Sequence, residues 1–172
     1  MTQEELQTVR TTTNHLKYLD EIQYEPLREL TEKVLLEYSD SYKIGRSYLV
    51  IDLMMAMLKH KNQVDTNSRA AWIELLVAAG YMYNLFYDGT VSSLFKAREI
   101  ISEKMIEYKI PVNGIAVIFS AIEGQFGDQT PVEKCRPNGV SPEELFSWAV
   151  FVVDIYHGQY KLPNGSSYKR EE

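Results

Sequence analysis

Apolar residues recur every three or four positions along most of this chain, which is the spacing of one face of an α-helix. Thr2-x-x-Glu5 is a capping-box pattern, and it opens a short polar helix. A second helix is predicted over about 20–38, with Leu27, Leu30, Val34 and Leu35 on one side. A third, over about 46–59, carries Tyr48, Asp52, Met55 and Lys59 in one stripe and Leu49, Leu53, Ala56 and Met57 in another. After a polar connector at 59–67, a helix over about 68–86 places Trp72, Leu75, Leu76, Ala79, Met82, Tyr83 and Phe86 at helical spacing.

Tyr87-Asp88-Gly89-Thr90 has turn chemistry, because glycine tolerates positive φ and aspartate caps locally. Another amphipathic helix is predicted over about 91–108, ended by Pro111, and 113–125 is again helical and apolar. The stretch 126–140, rich in Gly, Pro, Asp and Asn, reads as a long loop. Ser141-Pro142-Glu143-Glu144 supplies a serine cap, a proline at the first helical position and a following glutamate. The helix it opens, to about 157, is apolar nearly all round and so belongs in the middle of a bundle. No alternating strand pattern, internal repeat or linker interrupts this. The expectation is an all-α chain: one compact bundle of about six to seven helices over 1–158, then a polar tail over 159–172.

Composition narrows the function classes. At 172 residues, 45% hydrophobic and 24% charged, the chain can bury a core. The net charge of -6 and the shortness of the basic runs, Lys59-His60-Lys61 and Lys169-Arg170, argue against a nucleic-acid partner. The first ten residues carry acids where a signal peptide needs a basic and then apolar run, and no stretch approaches the roughly 20 apolar residues of a membrane span. Cys135 is the sole cysteine, so no intramolecular disulfide can form, and a cytoplasmic setting is expected. Its segment, Glu133-Lys134-Cys135-Arg136-Pro137, reads as a loop with no histidine nearby in sequence, so an incidental loop thiol is expected over a nucleophile, although the two cations favour the thiolate.

Four segments resemble the HD-type phosphohydrolase domain. Ala79-Gly80-Tyr81-Met82-Tyr83-Asn84-Leu85-Phe86 looks like its motif A-G-L-L-H-D-I-G, with Tyr83-Asn84 in place of His-Asp. Val152-Val153-Asp154-Ile155-Tyr156 is similar to the family's closing V-A-D-V-Y and keeps the aspartate. Ala121-Ile122-Glu123-Gly124-Gln125-Phe126 resembles A-I-x-x-H-H, with Gln125 where a histidine would stand. Arg46-Ser47-Tyr48-Leu49-Val50 resembles the helix that supplies the family's first histidine, and the likeness covers about 46–157.

The resemblance implies an HD-like bundle whose metal-ligand positions are mostly replaced, with Tyr48, Tyr83, Asn84, Gln125 and Asp154 lining a vestigial pocket. The family holds one or two divalent metals with imidazole and carboxylate ligands and activates a water for attack on a phosphoester. A phenol is a poor ligand to a divalent metal at neutral pH, and Asn84 offers a neutral carbonyl oxygen. These side chains can instead donate hydrogen bonds to Asp154, making a structural polar network without metal or cofactor.

Other chemistry is thinner. His15, His60 and His157 are not spaced as metal pairs, and each reads as a surface or capping residue. Asp52, one turn from Tyr48, either adds a carboxylate to the pocket or is solvated. Asp88, Glu99 and Glu123 would have to assemble a shifted oxygen site from separate segments. The 12 tyrosines are many, and Tyr81, Tyr83, Tyr87 and Phe86 gather at one helix end, as core packing or as an interaction surface. Met54, Met55 and Met57 read as core filler.

The expected function is therefore a catalytically inactive HD-like protein. It would bind a protein partner, a nucleotide-like ligand or a second copy of itself, in a bacterial or phage setting where it modulates another enzyme. Two alternatives stand beside it: an active metal-dependent nucleotide phosphohydrolase using a rearranged carboxylate site at Asp154, Asp88 or Glu123, and a structural subunit of a larger phage assembly.

Overall fold

The computed structural model describes residues 1–60, 66–85, 91–116, 118, 146, 149, 150, 152 and 153. They form an all-α structure with no strand among them: α1 Gln3–Thr12, a 3₁₀ turn Lys17–Glu21, α2 Glu25–Tyr38, α3 Ser41–His60, α4 Thr66–Met82 and α5 Val91–Glu107. Residues 112–116 are helical too, as are Phe146, Ala149, Val150, Val152 and Val153. The expected loop at 126–140, the start of the last helix and the polar tail lie outside the described residues.

The capping box of α1 is formed on both sides. The Thr2 hydroxyl accepts from the Glu5 N–H at 3.1 Å, and the Glu5 carboxylate accepts from the Thr2 N–H at 2.8 Å. The helix expected from residue 20 is split into the 3₁₀ turn and α2. Pro26 is the reason, since its ring in a continuing helix would clash with the carbonyl four residues back. The exposed start of α2 is satisfied from elsewhere: the Glu74 carboxylate of α4 accepts from the N–H groups of Gln23 and Tyr24. A negative charge there also complements the positive end of the helix dipole.

α3 begins five residues before its expected start. Asp40 accepts from the Lys43 N–H at 2.8 Å and so caps the polar first turn, whose residues lack the apolar period.

α4 is the centre of the bundle, packed against α3, α2 and the 3₁₀ turn. Residues 76–85 are all buried, and Gly80 lies against Ile51 of α3. A Cβ at Gly80 would lie 2.4 Å from Cγ1 and 2.9 Å from Cδ1 of Ile51, so the Ile51 side chain fills the space that a side chain at 80 would need. Phe146, Ala149, Val150 and Val153 are buried with them, the spacing of one helix face.

α5 ends in a Schellman motif. The Ile110 N–H donates to the Met105 carbonyl and the Lys109 N–H to the Ile106 carbonyl, both at 3.0 Å, with Met105 and Ile110 buried. Lys109 occupies the left-handed position at φ 56°, where glycine is the usual residue. Pro111 follows two residues on, so it bars continuation but does not itself make the stop. Lys109→Gly should therefore raise stability by about 1 kcal/mol, measured by urea unfolding, because the left-handed penalty of a Cβ is removed.

Between α2 and α5, Lys104 meets Glu37 at 2.9 Å. An acid in the last turn of a helix is unfavourably placed against the dipole, and the Lys104 ammonium offsets that. Its hydrogen bond holds the Glu37 carboxyl below the usual carboxylate range, and the same bond holds Lys104 above its ordinary value. A lowered carboxyl stabilises the fold above its unfolded value, and that contribution is lost as pH falls through the folded one. Lys104→Met should cost at most about 1 kcal/mol at neutral pH, since Glu37 is partly exposed. In thermal melts the gap from the parent should close below about pH 4.

Candidate functional site

The C-terminal end of α4 is where the resemblance places the replaced His-Asp pair. Tyr83 and Asn84 lie one and two residues past the end of α4, and the Tyr83 N–H still donates to the Ala79 carbonyl at 2.9 Å. Beyond the helix the Lys43 ammonium of α3 donates to the Leu85 carbonyl at 2.9 Å. A cation is well placed at that end of a helix.

Asn84 is only 5% exposed. Its Nδ2 donates to the Lys43 carbonyl at 3.1 Å, and its Oδ1 accepts from the Ser47 hydroxyl at 3.4 Å, a long bond. Donor and acceptor are both used, which an ionised aspartate could not do here. The ring of Tyr83 meets that of Phe146 edge-on, with centroids 5.7 Å apart and an interplanar angle of 84°. These contacts give the end of α4 three ties to α3 and one to the buried helical residues at 146–153.

Tyr48, expected in the same pocket, makes its contacts elsewhere. Ser47 and Tyr48 are consecutive on α3 and so point about 100° apart. While Ser47 meets Asn84, Tyr48 faces the segment that joins α1 to α2. Its ring packs on His15 at 5.0 Å and on Tyr18 at 5.8 Å, and its hydroxyl accepts from Asn14 at 3.3 Å. The Lys17 ammonium stands 4.9 Å from the Tyr18 ring centroid and 5.6 Å from that of Tyr48, within cation–π range.

Asp52, one turn along α3, accepts from the Tyr18 hydroxyl at 2.5 Å. Burial first, and then this bonded carboxylate, pushes the Tyr18 phenol well above its ordinary range. Tyr81, buried in α4, donates its hydroxyl to the His15 carbonyl at 2.7 Å, and burial pushes its phenol up as well. Both phenols are hydrogen-bond donors at neutral pH, not nucleophiles. His15 also lies against Gly45, where a Cβ would come 3.3 Å from its Cε1.

The structure therefore brings Tyr83 and Asn84 together at one point and sets Tyr48 with Asp52 in a second cluster. Gln125 and Asp154 lie outside the described residues, as do Asp88, Glu123, Cys135, His157 and the side chain of His60. Glu99 is exposed on α5. Among the described residues no three of His, Cys, Asp and Glu come together as a metal site, and no helix is long and apolar enough to cross a membrane.

Asn14, Lys17 and Tyr18 were not singled out by sequence. Their signal was indirect, an excess of tyrosine and a helix start placed at residue 20 that concealed the turn holding them. No family model, curated protein or solved structure matches the chain.

Proposed function

We propose that this chain is a non-catalytic binding protein on an HD-like helical frame, acting by holding a protein partner or a nucleotide-like ligand in a cytoplasmic setting. The observation that supports this reading is the use made of Asn84. Its amide is spent on the Lys43 carbonyl and the Ser47 hydroxyl. Asn84 thus presents a neutral oxygen that already accepts from Ser47, where a dication needs a carboxylate, and the nearby Lys43 ammonium opposes a cation. Tyr83, the other replacement, contributes an aromatic edge to Phe146.

The test is metal analysis of the purified protein, coupled to a nucleotide and phosphodiester panel in Mn²⁺. The expected result is no stoichiometric metal and no turnover. Stoichiometric metal, with turnover abolished by Asp154→Ala, would replace this reading with that of a working hydrolase.

A further inference from the structure

We draw no further inference here: the strongest candidate, the outward face of α3 on which Tyr42 is 63% and Leu49 39% exposed with the exposed Ala56 farther along the same stripe, carries nothing because no feature of the structure shows what covers it.

Discussion

Asn84→Asp should destabilise the protein by about 3 kcal/mol at neutral pH, although it restores the residue type that the resembled family carries. The substitution exchanges an amide donor for a carboxylate oxygen facing the Lys43 carbonyl, 3.1 Å away in a buried position. Two acceptors then oppose each other, and the new charge is held out of water. The Lys43 ammonium, bonded to the Leu85 carbonyl, offsets part of that charge but does not relieve the opposition of carboxylate and Lys43 carbonyl. The loss has a defined pH dependence. The folded state favours the protonated acid, which can donate as the amide did, so the folded pKa lies above the unfolded one. Stability of the variant should accordingly recover as pH falls through that raised value. Asn84→Ala, which removes the bonds without adding charge, should cost less, about 1–2 kcal/mol. Urea unfolding of both variants at two pH values measures the difference.

Gly80→Ala should also destabilise, against helix propensity. In an exposed helix the change would gain about 1 kcal/mol. Here the added methyl would stand 2.4 Å from Ile51 Cγ1, an atom next to a branched Cβ that cannot swing aside. Overpacking of this kind costs about 1–3 kcal/mol, and the helices α3 and α4 must separate to accommodate it. Ile51→Ala alone should cost about 2–5 kcal/mol by opening a cavity. The double variant should cost clearly less than the sum, because each change removes the other's defect. A coupling near zero in that cycle would mean that α3 and α4 do not cross at this pair.

Much of the fold was legible because α1 and α2 are amphipathic and the cap of α1 is local. The Thr2–Glu5 capping box is readable from four letters and forms as expected. Apolar spacing located Leu27, Leu30, Val34 and Leu35, all of them buried. Where the structure differs, the deciding group is either a local signal such as Pro26 or Asp40, or one distant in sequence. The Glu74 carboxylate reaches Gln23 and Tyr24 from some fifty residues away and allows α2 to start afresh after the 3₁₀ turn. Lys109 stops α5 through a backbone conformation that its side chain disfavours, so no glycine signalled it.

The candidate site divides for a similar reason. A one-dimensional pattern placed Tyr48, Tyr83 and Asn84 in one pocket. The 100° step between Ser47 and Tyr48 instead sends Ser47 to Asn84 and Tyr48 to His15 and Tyr18. The Asn14–Tyr18 segment has no helical period of its own, and it is ordered by partners on α3 and α4, among them the Tyr81 hydroxyl on the His15 carbonyl. Such contacts become visible only once the helices are packed.

That Asn84 fastens the end of α4 to α3 through the Lys43 carbonyl and the Ser47 hydroxyl is checked by the melting temperature of Asn84→Asp with and without millimolar Mn²⁺, beside the parent. The expected midpoint lies roughly 6–12 °C below the parent's, from about 2–4 °C per kcal/mol for a chain of this size, and the metal moves it in neither protein. A variant that melts with the parent, or that Mn²⁺ stabilises, would contradict that role for Asn84.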